Sequence, residues 1–192
     1  MLDYDREASR YDDTRGGAPR AIAAASAVDR LLPADTSVVL DLAGGTGIVA
    51  EQLAGPRRAL VVLDRSHGML RRAVVRLPAR GVQADAARLP LADGCVDAVA
   101  MVWLLHLVDH PERVLSEAIR VLRPGGTLVT TVDKRAAHGH PVDEHAGDSR
   151  PRVEATLHAL GAEPAGSTTF AGVGQQGDPV YSLVAFRCGE GR

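Results

Sequence analysis

The sequence predicts an α/β domain built on a mostly parallel sheet. Short β-branched and aliphatic runs alternate with helical segments from residue 19 onward, and the first such run, residues 37–42, ends in a glycine-rich turn leading into a helix. Right-handed crossovers between successive strands make such a sheet parallel. The length of 192 residues, 45% hydrophobic, fits one domain with a full core and at most a mobile arm.

The elements follow in order. An acidic, tyrosine-containing lead reads as an N-terminal arm or lid over 1–18, ahead of a single domain over 19–192. Pro19 opens an Ala-rich run through Leu32 that Pro33 stops, which predicts a helix. SVVLDLAGG is a continuous apolar run closed by glycines, the mark of a strand buried on both faces and so of the central strand. The same alternation predicts a helix over 46–53, a strand over 59–64, a helix over 66–77 and a short strand over 82–85. A strand over 96–103, a helix over 111–122 and a strand over 127–133 complete the regular part. Helix 111–122 is marked by Pro111 in its first turn, Asp109 as cap and Glu112 as capping-box partner, with Val114, Leu115, Ala118, Ile119 and Leu122 on one apolar face. The segment KRAAHGHPVDEHAGDS has no periodicity and reads as a surface loop over 134–149, placed to act as a lid. A helix over 152–160, a strand over 167–173, a turn GQQGDP and a strand over 180–188 end the chain, the last two strands close enough for an antiparallel pair.

Composition excludes several function classes. With 22 Lys+Arg against 24 Asp+Glu, no charge excess points to nucleic acid or an anionic membrane. Aromatic content of 3% leaves few stacking platforms for single strands. No apolar run reaches membrane-spanning length, and MLDYDREASR is acidic where a signal peptide is basic and then apolar, so the expected location is the cytoplasm. Cys95 and Cys188 form no metal or disulfide spacing, and the His/Asp-rich loop with His138, His140, Asp143, Glu144 and His145 lacks a ligand pattern, so no metal is expected. The expected partner is a small molecule, in an oligomeric state the sequence leaves open.

The chemistry gathers at the glycine loop. Asp41-Leu42-Ala43-Gly44-Gly45-Thr46-Gly47 lets backbone approach a ligand closely and aims free N–H groups at a carboxylate or phosphate. Gly45-Thr46-Gly47-Ile48-Val49-Ala50 also satisfies GxGxxA, with Asp64 ending the next strand as a dinucleotide fingerprint requires, so the loop alone does not choose the cofactor.

Four stretches together resemble the class I S-adenosylmethionine-dependent methyltransferases, in particular the small-molecule and quinone-biosynthesis type: VVLDLAGGTG, VVLDRSHGML, QADAARLPLADGCVDAV, and VWLLHLVDHPERVLSEAIRVLRPGGTLVTT. The likeness covers residues 37–133, and YDREASRYDD more loosely resembles that family's tyrosine-containing lid. It implies a three-layer Rossmann-like fold, a seven-stranded sheet of order 3-2-1-4-5-7-6 with the last strand antiparallel, and S-adenosylmethionine as cofactor with S-adenosylhomocysteine as product. It also implies roles. Asp41 would orient the loop and the methionine amino group while Ala43, Gly44 and Gly45 line the methionine end, Ala43 standing where many members have glycine. Asp64 would accept both ribose hydroxyls, with Arg65 and Met69 flanking the adenosine; Asp85 and the Ala86 N–H would read the adenine edge, and Met101 would complete the cofactor site. Tyr4 and Tyr11 on the arm are candidates to close over the site, Tyr11 the stronger one for substrate contact. Trp103, at the carboxyl end of the fourth strand, is a candidate to line the acceptor pocket.

His106 is the candidate general base and a further substrate contact, since an imidazole there could take a proton from a hydroxyl or amine. The expected reaction is in-line methyl transfer to an oxygen, nitrogen or carbon of a small organic acceptor. Two alternatives remain: an NAD(P)-dependent oxidoreductase using GTGIVA, and a protein of this fold that binds the sulfur nucleosides without transferring methyl.

Overall fold

A computed structural model describes residues 2–173 and 178–189. Seven strands, β1 (Val38–Leu42), β2 (Ala59–Asp64), β3 (Gly81–Gln83), β4 (Val96–Met101), β5 (Leu122–Val132), β6 (Ala162–Ala171) and β7 (Val180–Cys188), form one sheet of order β3-β2-β1-β4-β5-β7-β6. Pairings among β1 to β5 are parallel, and β7 runs antiparallel to both β5 and β6. This is the fold class and strand order that the sequence predicts.

Side-chain alternation decides which helix covers which face. Leu40, Leu42, Val99 and Met101 face a core shared with helix α6 (Pro111–Val121) and helix α7 (Arg150–Ala159). Val39, Val62, Ala98 and Ala100 face the other core, with helix α3 (Gly17–Asp29) and helix α4 (Ile48–Leu53). Ala24, Ala25, Ala27 and Val28 of α3 are buried against that face, where small residues on both sides allow close approach. The arm forms two single turns, α1 (Tyr4–Glu7) and α2 (Tyr11–Thr14), and α5 (His67–Arg76) follows β2.

Several boundaries differ from expectation for local reasons. Helix α4 starts at Ile48 rather than 46 because Gly45 and Gly47 take φ of 57° and 72°, left-handed values incompatible with helix. Asp109 does not cap α6. The cap position falls to His110, set by Pro111 at the first helical position, and no side chain bonds there; Glu112 instead meets His110 Nδ1 at 3.1 Å. The third strand ends at Gln83 because Asp85 closes a turn, its Oδ1 accepting from the Ala87 N–H at 2.9 Å. Strand β6 starts at Ala162, earlier than expected, because its pairing with β7 runs out to Cys188. The GQQGDP turn lies, for residues 174–177, outside the described residues.

Segment 134–149 is pinned rather than free. The Asp133 N–H donates to the Asp148 carbonyl and the Lys134 N–H to Asp148 Oδ2, both at 2.8 Å, while the Arg150 N–H donates to Asp133 Oδ1 at 3.1 Å. Among the described residues no helix is long and apolar enough to cross a membrane.

Candidate functional site

A cavity of about 480 Å³ opens at the carboxyl ends of β1, β2 and β4, roofed by the arm. Its floor is the glycine loop. Gly44 has no room for a side chain: a Cβ would stand 2.5 Å from Asp41 Oδ2 and 2.9 Å from Val62 Cγ1. Ala43 holds a φ of 59°, so here a residue with a Cβ carries the strain that glycine would avoid. Gly44→Ala is therefore expected to lose ligand affinity and roughly 2 kcal/mol of stability, whereas Ala43→Gly gains up to about 1 kcal/mol with binding intact, both read by thermal unfolding.

Three of the loop's N–H groups, expected to point outward, are bonded within the protein. Gly44 donates to the Leu63 carbonyl at 3.2 Å, Gly45 to Asp64 Oδ2 at 2.9 Å and Gly47 to the Gly44 carbonyl at 2.9 Å. The loop is thus no ready anion cradle, and its acceptors carry the chemistry. Asp64 also accepts the Ser66 N–H on Oδ1 at 2.8 Å, and the Arg65 N–H is a further donor to the carboxylate. Burial raises its pKa above the ordinary carboxylate value.

Asp41 is the sharper case. It is 2% exposed, it lines the cavity, and Oδ2 is buried without a hydrogen-bond partner among the described residues. Burial, and then the nearby Asp64 carboxylate, push it up to about 7 against the pull of the Ala50 N–H.

Most residues expected at the site come together on this wall. The loop contributes Asp41, Ala43, Gly44 and Gly45; β2 and its helix contribute Asp64, Arg65 and Met69. Asp85 and Ala86 approach from the turn after β3, Tyr11 from the arm and Trp103 from the end of β4. Met101 and His106 are not brought there. Met101 is fully buried in the core on the α6 side of the sheet. His106 stands off the cavity wall with Nε2 2.8 Å from Lys134 Nζ, and burial together with the Lys134 and Arg20 cations pushes it down to about 3. Segment 134–149 also contributes no residue to the wall.

The structure adds residues that sequence reasoning missed. Arg20 lays its guanidinium 3.5 Å from the centroid of the Trp103 ring, and Trp103 itself holds a strained φ of 62° with its N–H on Thr131 Oγ1 at 2.8 Å. Asp12 is buried in the arm, accepting from Thr46 Oγ1 at 2.6 Å and from Arg76 Nη2 at 2.7 Å. Asp5 accepts from Ser66 Oγ and the Gly68 N–H at 2.6 and 2.7 Å, a second tie between the arm and the loop after β2. Tyr4 and Tyr11 stack 6.1 Å apart over the opening. Among the described residues no three His, Cys, Asp or Glu side chains gather as a metal site.

Residues 40–130 match the model of a family described as methyltransferase domain. The match spans 91 residues, just under half of the chain. The demethylmenaquinone methyltransferase of Renibacterium salmoninarum is 40% identical over 104 residues, which cover 54% of this chain and 42% of that protein. The chain spans about two fifths of the length of the curated relatives it matches. A methyltransferase-fold structure from Thermotoga maritima, described as S-adenosylmethionine-dependent, superposes with a TM-score of 0.70 at 21% identity, covering 96% of this chain and 97% of that one. The cyclase SpnF superposes with a TM-score of 0.78 at 19% identity, covering 98% and 95%. The fold shared with these structures therefore extends over nearly the whole chain, beyond the stretch matched by sequence.

Proposed function

We propose that the protein transfers a methyl group from S-adenosylmethionine to an oxygen, nitrogen or carbon of a small organic acceptor. The observation that carries this reading is the buried, partnerless Asp41 oxygen in a cavity floored by a loop that admits no side chain at Gly44. A carboxylate so placed fits an ammonium, and the sulfur nucleosides carry one beside their ribose hydroxyls. Asp41 would hold that ammonium and the Asp64 carboxylate the ribose diol. Asp85 and Ala86 would meet the adenine edge, with Arg65 and Met69 beside the adenosine.

When bound, the sulfonium supplies a methyl group already activated for displacement. The chain then has to orient an acceptor, keep water out and leave the nucleophile's proton a path. Tyr4 and Tyr11 close the opening, and we treat residues 1–18 as a lid on a single domain over 19–192. Trp103 lines the acceptor end. His106, held near 3, is a weak base at neutral pH, so the acceptor's own acidity or solvent takes the proton. The likeness to demethylmenaquinone and ubiquinone/menaquinone methyltransferases favours a planar organic acceptor.

Calorimetric titration with S-adenosylmethionine, S-adenosylhomocysteine and NADH tests the reading. The two sulfur nucleosides are expected to bind near 1 μM, about 8 kcal/mol, and NADH not at all. Asp64→Asn should weaken both at least tenfold with the melting temperature near that of the wild type. NADH binding without the sulfur nucleosides would return the loop to its dinucleotide reading. Tight binding with no transfer to any acceptor would favour the non-transferring alternative; SpnF, which shares this fold, is a cyclase.

A further inference from the structure

The cavity wall has two chemically opposite poles. Around β1 and β2, Asp41, Asp64 and Asp85 present hydrogen-bond acceptors. Where the end of β4 meets the arm and α3, Arg15, Arg20 and the Trp103 indole present donors.

The donor pole is rigid and lacks counter-charge. The Arg20 guanidinium lies on the Trp103 ring and 5.8 Å from the Tyr181 centroid, and Trp103 is wedged edge-on between Tyr181 at 5.4 Å and Phe170 at 5.7 Å. Arg20 Nη1 donates to the Arg15 carbonyl at 3.0 Å. Arg20 Nε and Trp103 Nε1 are both buried without a hydrogen-bond partner among the described residues. Among those residues neither Arg15 nor Arg20 forms an ion pair with a carboxylate: Asp12, beside them on the arm, is engaged by Arg76 and Thr46. Lys134 adds a third cation close enough to depress, with Arg20 and with burial, the basicity of its neighbours. Buried donor atoms left without acceptors, beside guanidiniums that no carboxylate neutralises, are unfavourable unless a ligand supplies the acceptor and the opposite charge.

We propose that the methyl acceptor is an organic anion whose carboxylate or phosphate group is held at this pole by Arg20, Arg15 and the Trp103 indole N–H. This rests on the methyltransferase reading for the name acceptor, while the anion site itself does not. An anionic group could take a donor from the Arg20 guanidinium and one from the neighbouring indole edge, and the aromatic wall suits a planar body beneath it. A second source of the same chemistry is the carboxylate of the cofactor's methionine, and the test separates the two.

Benzoate, 1-naphthoate and phenyl phosphate, each against benzamide, are titrated into the full chain and into Arg20→Met and Arg20→Lys, with and without saturating S-adenosylhomocysteine. In parallel, each protein is titrated with S-adenosylhomocysteine and with 5′-methylthioadenosine, which lacks the methionine carboxylate. Melting temperatures report whether each variant folds. At least one anion is expected to bind the loaded wild type tenfold or more tighter than benzamide, and the better of carboxylate and phosphate names the group. That preference should vanish in Arg20→Met and partly return in Arg20→Lys, with S-adenosylhomocysteine affinity within twofold of wild type. Equal binding of anions and benzamide overturns the proposal. So does a tenfold loss of S-adenosylhomocysteine affinity in Arg20→Met with methylthioadenosine unchanged, which would give Arg20 to the cofactor. Failure of the wild type to bind S-adenosylhomocysteine would sink the methyltransferase reading alone, since the anion preference is also read without it.

Discussion

Asp41→Asn is expected to weaken S-adenosylhomocysteine binding about a hundredfold and, at pH 8, to raise the melting temperature of the ligand-free protein. Both effects follow from one buried oxygen. Burial raises the Asp41 pKa in the folded chain from 3.8 to about 7. A raised carboxylate binds its proton more tightly when folded, so the stability it allows is full below the unfolded value, falls as pH rises through about 7, and is constant above. Ionised Asp41 then burdens the ligand-free fold by roughly 4 kcal/mol, which the uncharged amide removes.

A bound ammonium does the opposite, favouring the ionised carboxylate. Binding at pH 6 should therefore release close to one proton from Asp41, and affinity should fall about tenfold per pH unit below 7. Calorimetry in buffers of different ionisation enthalpy measures the proton directly. 5′-Methylthioadenosine, without the ammonium, should release none. A hundredfold loss is about 2.7 kcal/mol, within the range of a charge-assisted bond in a buried site. Unchanged affinity in Asp41→Asn would remove the central assignment of the site.

Asp12→Ala is expected to open the arm. Asp12 takes one bond from Thr46 beside the glycine loop and one from Arg76 on α5, and Arg76 in turn donates to the Thr46 carbonyl at 2.8 Å. Breaking a buried pair costs about 3 kcal/mol or more, and Arg76 keeps its bond to the Thr46 carbonyl and its contact with Glu51 at 3.2 Å. The arm is two single turns, so the loss should appear as local opening rather than global unfolding. Trypsin cleavage after Arg10 and Arg15 should accelerate about a hundredfold, as 3 kcal/mol requires, with the main melting transition little moved. Asp5→Ala, at an exposed tie, should accelerate it only a few-fold. An unaltered cleavage rate in Asp12→Ala would show that the arm is held by something other than this latch.

The central strands and the cofactor-side carboxylates are legible in the sequence because their signals are local: a continuous apolar run, then glycines, then an acid at a strand end. Asp41, Asp64 and Asp85 each sit where such a run stops. The donor pole was illegible because it is assembled across the chain. Arg20 reaches Trp103 over 83 positions, and Asp12 meets Thr46 and Arg76 over 34 and 64, pairings that no periodicity encodes. Met101 shows a signal that was available and unused. It alternates with Ala100 and Val102, which face the α3 side with Asp41's neighbour Val39, so pleating alone sends its side chain to the opposite core. His106 had no comparable signal, since a residue on an irregular turn after a strand can point either way. The Asp109 cap failed by one residue, because Pro111 fixes where α6 begins.

Trp103 is the chain's single tryptophan, and it stands in the cavity wall beneath a guanidinium. The intrinsic tryptophan emission of the protein is therefore emission from this one site. A ligand that engages Arg20 changes the electric field at the indole, so occupancy is written directly into the colour and yield of fluorescence. The protein carries its own optical sensor, and a library of candidate acceptors can be ranked on it without labels or turnover.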